Sequence, residues 1–251
     1  HMTQQTVFGP EGALYLAQAA NPAMGAPATA WGLRSEHLLN DALLRLAITK
    51  LGSTPLDVKT VDAGGPYNPF APGAPLTIYA TGVRNAYDLV WTSNGRLFAP
   101  TNGSAAGGNT PATPTGVYSY GPNQRIDYST SGAYTGPNVP GITAGPTQPD
   151  YIFNIVQGGF YGEPNPTRGE FVLNGGNPTS GVDPNEVASY PVGTQPDRNY
   201  RGNITGAAAG TMGSAYNYGY NHSPDGIIQY VGNEFGGALN GKLMVCDYSG
   251  G

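Results

Sequence analysis

The chain has 251 residues and a formal net charge of −5, and only 11% of its residues are charged, against roughly 25% in an average globular domain. The 11 Lys and Arg residues are scattered, which argues against a nucleic-acid-binding surface, and no apolar run reaches the ~18–20 residues of a membrane-spanning helix. Gly and Pro number 39 and 23, yet 17 Tyr and 7 Phe are too many aromatic residues for a disordered chain. Short strands joined by Gly-, Pro- and Asn-rich turns explain both features.

Three segments of the chain share the pattern of a β-hairpin, in which a turn containing glycine separates two apolar strands. They are residues 6–18, 88–103 and 226–250. Asn94-Gly95 and Asn240-Gly241 predict type I′ turns, because both residue types tolerate a positive φ. Gly12 and Gly95 lie 83 residues apart, close to two repeats of roughly 40–50 residues, which is the period of four-stranded propeller blades.

The segments between the hairpins complete an all-β interpretation. Residues 41–48 and 151–159 are predicted strands, because they are short and bounded by Gly- and Pro-rich sequence. We expect a single β-propeller domain over residues 1–251. Its predicted connections are residues 61–75, 101–116 and 129–150, with a long loop excursion over residues 174–214.

Cysteine content and composition indicate the compartment. Cys246 is the single cysteine, so an internal disulfide is excluded. Together with the low charge and the abundance of Asn, Gly, Thr and Tyr, this leads us to expect a secreted or periplasmic bacterial protein.

The segment "YNPFAPGAPLTIYATGVRNAYDLVWTSNGRLFAPTNG" (67–103) resembles the glucose/sorbosone dehydrogenase family, the soluble PQQ-dependent sugar dehydrogenases. The resemblance covers residues 1–20 and 41–109, and resumes at "GGFYGEPNP" (158–166) and at residues 225–245. It implies a six-bladed propeller. About 250 residues hold roughly five or six lean blades, and the sequence begins and ends inside predicted hairpins. We therefore expect an incomplete, trimmed propeller, or one whose missing strands are supplied elsewhere.

The Arg84-Asn85 pair is the most specific part of the resemblance, which implies that Arg84 binds a carboxylate of the quinone and that Asn85 lies beside it. A guanidinium offers a planar set of donors that matches a carboxylate. The alternative is that Arg84 pairs with a nearby Asp, such as Asp88, or with a backbone carbonyl, and only holds its loop.

His1 is the residue that the resemblance implies as the catalytic base. Family members carry a histidine a few residues before this first hairpin, and imidazole suits proton transfer near neutral pH. A His-Met start is equally what a cloning linker leaves behind, so both readings of His1 stay open.

Aromatic residues near the two best-matched segments are candidates for a sugar-binding wall. Tyr87, Phe160 and Tyr161 could stack on a pyranose ring, and Asn102 could bind hydroxyl groups. The alternative is that the 158–170 segment packs on the propeller's rim.

Calcium is implied by the resemblance together with PQQ. Calcium sites need several oxygen ligands, but the loop "TNGSAAGGNTP" (101–111) has no carboxylate where family members carry a histidine and an acidic run. We read His37 and His222 as isolated surface residues. Two functions therefore stay open: a PQQ-dependent sugar or alditol dehydrogenase, and a catalytically silent extracellular propeller that binds a small sugar or a polysaccharide, or mediates adhesion.

Overall fold

A computed structural model describes residues 3–112, 140–170 and 214–248. In these ranges the chain forms ten β-strands and a few one-turn 3-10 helices, which confirms the all-β prediction. None of the helices in the described ranges has the length and apolarity needed to cross a membrane. The strands are β1 (Thr3–Phe8), β2 (Leu14–Gln18), β3 (Ala42–Leu46), β4 (Leu76–Thr81), β5 (Val90–Trp91), β6 (Leu97–Thr101), β7 (Asp150–Ile155), β8 (Ser214–Gly219), β9 (Pro224–Gln229) and β10 (Leu243–Asp247).

The first sheet is an antiparallel meander in the order β1-β2-β3-β4. Leu16 of β2 lies opposite Leu44 of β3, which in turn lies opposite Ile78 of β4, and Leu44 and Ile78 are buried under the loop residues Val58 and Phe70. The opposite face of the sheet also packs into the interior. Burial on both faces explains why residues 41–48 show no clean alternation, although they form the predicted strand.

The second sheet is also a four-stranded antiparallel meander, in the order β5-β6-β7-β8. Every residue of β6 and β7 is buried, and β7 confirms the strand predicted over residues 151–159. Phe153 of β7 and Leu43 of β3 belong to one apolar cluster, so the two sheets share a core. Four antiparallel strands are the form of a propeller blade, but the described residues do not close a ring of blades.

The third hairpin, β9 with β10, forms a separate two-stranded sheet. Ile227 of β9 is buried against Phe98 and Ile152 of the second sheet. The predicted hairpin over residues 226–250 is therefore confirmed as a hairpin. The predicted excursion over residues 174–214 lies, apart from Ser214, outside the described residues.

The turns at Asn94-Gly95 and Asn240-Gly241 differ from the predicted type I′ geometry, because neither asparagine has a positive φ. At β5–β6, the amide of Gly95 donates to Thr92 O at 2.9 Å, and the amide of Thr92 donates to Arg96 O at 2.8 Å. Gly95 has a positive φ of 77°, but Asn94 does not, so this is a type I turn followed by a glycine bulge. The Asn94 side chain accepts a hydrogen bond from Thr92 Oγ1 at 2.6 Å, which accounts for asparagine at this position.

Candidate functional site

The loop between β4 and β5 carries Arg84 and is held to three different strand ends. The amide of Ala20, after β2, donates to Arg84 O at 2.7 Å, and the amide of Val83 donates to Asp41 O, just before β3, at 3.0 Å. The amide of Asn102, after β6, donates to Asn85 O at 3.1 Å. The position of Arg84 is therefore fixed by both sheets.

Arg84 is a nearly buried cation that has no ion pair among the described residues. Arg84 is only 6% exposed, and its Nη1 donates to Gly103 O at 2.6 Å. No carboxylate of the described ranges lies within ion-pair distance of it, and its buried Nε has no hydrogen-bond partner there. The guanidinium lies over the ring of Trp31, 5.6 Å from the centroid. Burial lowers the pKa of Arg84, as expected when a charge leaves water.

Asp88 does not neutralise Arg84. Its carboxylate accepts hydrogen bonds from the amides of Leu89 at 2.8 Å and Ile227 at 2.9 Å, so it ties the third hairpin to the second sheet. Of the two partners considered from the sequence, Arg84 has the backbone carbonyl, that of Gly103, and not the aspartate.

A cavity of about 350 Å³ opens beside Arg84. It brings together four residues selected from the sequence, namely Arg84, Asn85, Tyr87 and Asn102. The described residues of the lining are polar and aromatic, and among them Arg84 is the one ionisable group apart from the phenol of Tyr87. They are Gln4, Trp31, Arg84, Asn85, Tyr87, Asn102 and Ala105.

The amide side chains of the cavity are oriented by one another and by the β8–β9 loop. Gln4 Nε2 donates to Asn85 Oδ1 at 3.3 Å, which leaves the Asn85 amide hydrogens as donors. Asn102 Nδ2 donates to Ser223 Oγ at 2.8 Å, while the buried Asn102 Oδ1 has no partner in the described ranges. The cavity therefore offers both donors and acceptors beside the cation.

Phe160 and Tyr161 do not line this cavity. Both have 0% exposed surface, and Tyr161 packs against Phe153 in the shared core, with ring centroids 5.0 Å apart. The Tyr161 hydroxyl donates to Asn154 O at 2.7 Å. Of the three aromatic residues predicted to form a cleft wall, only Tyr87, which is 37% exposed, lies at the cavity.

A second group of ionisable side chains is buried next to the Arg84 loop. Arg168 has no exposed side-chain surface, pairs with Asp41 and with Glu170, and donates from Nη1 to the carbonyls of Leu38 and Asn40, at 2.7 Å each. Burial alone would lower the pKa of Arg168, but the two carboxylates raise it. This network joins the segment before β3 to residues 165–170.

Two further carboxyl groups, Glu36 and Glu163, are buried without an ion pair in the described ranges. Burial raises the pKa of Glu36 to about 7 and the pKa of Glu163 well above its usual range. Glu36 accepts a hydrogen bond from the amide of Asn21, 3.2 Å from each oxygen, and Glu163 accepts one from Ser104 Oγ at 3.2 Å.

The remaining predicted residues give a mixed result. His1 lies outside the described residues. His37 and His222 are not isolated, since their Nδ1 atoms lie 3.0 Å from Asp62 and 2.8 Å from Asp247. Within the described ranges no three His, Cys, Asp or Glu side chains are grouped so that they could hold a metal ion. The residues around Arg84 therefore do not fit calcium.

Gln4 and Trp31 were not selected from the sequence. They lie 80 and 53 residues before Arg84, and only the packing of the first sheet and its following loop brings them to the cavity. No local motif marks either residue.

Comparison with known proteins gives one distant similarity. No family model matches the chain, and no curated protein does so. Among solved structures, the chain is similar to the PQQ-bound form of an aldose sugar dehydrogenase from Streptomyces coelicolor, with 17% sequence identity and a TM-score of 0.34. The similarity covers 90% of this chain and 39% of that enzyme, so the chain spans about two fifths of its length.

Proposed function

We propose that the cavity beside Arg84 binds a small carboxylate-bearing ligand, and that this ligand is PQQ in a sugar or alditol dehydrogenase-like protein. The observation that carries the proposal is the unpaired guanidinium of Arg84. A nearly buried cation with one carbonyl partner is costly unless an anion compensates it. The carboxylates that act on Arg84, Glu163 first among them, lie beyond ion-pair distance. An anionic ligand in the adjacent cavity would provide the direct ion pair that the described residues do not.

The rest of the lining suits a planar, polar ligand. Arg84 offers a planar set of donors to a carboxylate, Asn85 adds amide donors, and Asn102 adds an acceptor. Trp31 and Tyr87 supply aromatic surface on which a flat ring can stack. None of the lining residues that the structure describes is a carboxylate, so none of these side chains repels an anion.

PQQ bound in this cavity would supply an acceptor for the two electrons that leave a sugar hydroxyl during oxidation. Arg84 and Asn85 would hold the cofactor, and Tyr87 and Asn102 would contact the sugar. His1, if native, remains our proposal for the proton acceptor. Calcium has no part in this proposal, because the described residues do not fit it.

The resemblance of residues 67–103 and 158–166 to the glucose/sorbosone dehydrogenase family supports this proposal, as do two four-stranded antiparallel sheets. A six-bladed propeller and a secreted or periplasmic location belong to the same proposal. The chain spans about two fifths of the length of the enzyme to which it is similar. The propeller and the location are therefore proposed for the whole protein.

The direct test is titration calorimetry with PQQ, followed by dye reduction in the presence of aldoses. We expect saturable PQQ binding and at least about tenfold weaker binding by Arg84→Met, since a charge-assisted contact contributes on the order of 1.5–3 kcal/mol. Arg45→Met is the control, because Arg45 pairs with Glu11 on the exposed side of the first sheet and should not affect binding. Absence of PQQ binding by the wild type would refute the proposal.

The second candidate is a catalytically silent extracellular module that binds a sugar or polysaccharide. Exposed aromatic side chains on the β8–β10 region, namely Tyr216, Tyr220, Phe235 and Tyr248, favour it, because such rings stack on sugars. A glycan array without any hit at high protein concentration would count against this candidate. A glycan that binds without PQQ and without turnover would favour it over the first.

A further inference from the structure

Arg84 and Glu163 converge on the same short segment after β6. Arg84 Nη1 donates to Gly103 O at 2.6 Å, and the next residue, Ser104, donates from Oγ to Glu163 Oε2 at 3.2 Å. The amide of Glu163 also donates to Gly82 O at 3.1 Å, two residues before Arg84. Hydrogen bonds to the 103–104 segment and to Gly82 O therefore link the two oppositely charged residues.

Each of the two side chains keeps one buried atom without a hydrogen-bond partner in the described ranges. For Arg84 this atom is Nε, a donor, and for Glu163 it is Oε1, an acceptor. Both side chains are nearly or fully buried, and they do not form a direct ion pair there. Because water does not screen charges in such an interior, the ionisation of each group affects the other strongly.

The other charged groups around this pair work in opposite directions. Asp41 and Glu36, from the segment before β3, oppose ionisation of Glu163, and Arg84 favours it. Arg84 in turn faces Asp150 of β7, Tyr87 and Glu36 as well as Glu163. The Asp150 carboxylate accepts hydrogen bonds from the amides of Gly103, His222 and Ser223. Of the three described carboxyl groups that act on Arg84, namely Glu163, Asp150 and Glu36, Glu163 is the one with a buried oxygen that has no hydrogen-bond partner in the described ranges.

We propose that Glu163 is the internal counter-ion of Arg84 and competes with the anionic group of the ligand, so that ligand binding is coupled to protonation of Glu163. This inference rests on the proposed anion site beside Arg84. When Glu163 is ionised, it partly neutralises Arg84 and repels the ligand. When Glu163 is protonated, the full charge of Arg84 faces the cavity.

The coupling has a definite sign. A bound anion neutralises Arg84 and removes the interaction that favours the Glu163 carboxylate, so Glu163 takes up a proton from solvent. Between the pKa of Glu163 in the free protein and its higher pKa in the complex, up to one proton enters with each ligand, and affinity falls by up to about tenfold per pH unit as pH rises. Since burial raises the pKa of Glu163, this window lies above the usual range for glutamate.

The first experiment is calorimetry with PQQ between pH 5 and pH 9, at constant ionic strength, in pairs of buffers with different ionisation enthalpies. For the wild type we expect affinity to fall at the alkaline end, with uptake of up to one proton. Glu163→Gln should bind with nearly constant affinity and take up no proton. Glu11→Gln is the control, because it removes a glutamate charge on the exposed side of the first sheet, where Glu11 pairs with Arg45, and it should keep the wild-type profile. A wild-type profile in Glu163→Gln would overturn the inference.

A second measurement needs no ligand and separates this inference from the proposed function. Carboxyl ¹³C NMR of the glutamate-labelled protein follows the titration of Glu163, whose signal is identified by its loss in Glu163→Gln. In Arg84→Met we expect the midpoint to rise by at least about one pH unit, because the neighbouring cation is gone. An unchanged midpoint, or a Glu163 that stays protonated to pH 10 in the wild type, would overturn the inference. Failure of PQQ to bind at any pH would instead refute the proposed function alone.

Discussion

Arg168 and Asp41 form an ion pair in which neither side chain has exposed surface, and Glu170 completes it from the other side, with its Oε2 2.9 Å from Arg168 Nε. Asp41 has a positive φ of 46°, a backbone conformation that is unfavourable for a non-glycine residue. Its carbonyl accepts the amide of Val83, which precedes Arg84. The ion pair therefore supports the loop on which the candidate site depends.

Removal of Arg168 should strongly destabilise the fold. Arg168→Met leaves Asp41 and Glu170 buried without their cation, and losing one member of a buried ion pair costs about 3–5 kcal/mol. Urea unfolding followed by circular dichroism measures the change. Arg45→Met provides the comparison, because the Arg45–Glu11 pair is more exposed and should contribute less than about 1 kcal/mol. Similar losses in the two variants would contradict the structural role of Arg168.

Stability should fall as pH rises through the titration of Glu36. Its pKa is raised from 4.5 to about 7 in the folded protein by burial. Between these two values the folded state keeps a proton that the unfolded state has lost, so the stability that Glu36 contributes at low pH disappears as pH rises. The contribution is on the order of 3 kcal/mol.

The check is the free energy of unfolding of the wild type and of Glu36→Gln, measured from pH 4 to pH 8. The difference between the two should change steadily across this range and level off at its ends. A constant difference would show that Glu36 has an ordinary pKa.

Gly82 should tolerate no side chain. It has a positive φ of 72°, and a Cβ added there would lie 2.6 Å from the amide nitrogen of Gly162. Gly82→Ala should therefore displace the Arg84 loop from the 158–166 segment and cost more than about 2 kcal/mol. Gly12→Ala is the matched control, because Gly12 has a φ of 81° but open space around it, and the conformational penalty alone is about 1 kcal/mol. Equal losses of unfolding free energy would show that the close backbone approach is unimportant.

Local sequence patterns predicted the strands and part of the site. The hairpins depend on apolar alternation and on glycine at the turn, and Arg84, Asn85, Tyr87 and Asn102 were selected from two short stretches of the chain. Gln4 and Trp31 are far from Arg84 in the sequence and lie at the cavity because of tertiary packing. A short sequence pattern does not encode such long-range contacts. The residue types of Phe160 and Tyr161 predict a place at a cleft, whereas both side chains are packed in the interior. The turn at Asn94-Gly95 is a further example. This dipeptide fits both a type I′ turn and a type I turn with a glycine bulge, and the strand register decides between them.

A negative charge placed in the cavity should weaken ligand binding without disturbing the fold. Asn85→Asp keeps the shape of the side chain and its hydrogen bond from Gln4, because the carboxylate still accepts from Gln4 Nε2. It puts an anion beside Arg84, where the other described lining residues include no carboxylate. The affinity for PQQ should fall by at least about tenfold, which corresponds to roughly 1.4 kcal/mol of repulsion and competition for the guanidinium. Calorimetry measures this loss directly.

Asn94→Asp makes the same change of charge at the β5–β6 turn, outside the cavity lining, and should leave the affinity unchanged. If Asn85→Asp binds PQQ as tightly as the wild type, the ligand does not occupy this cavity.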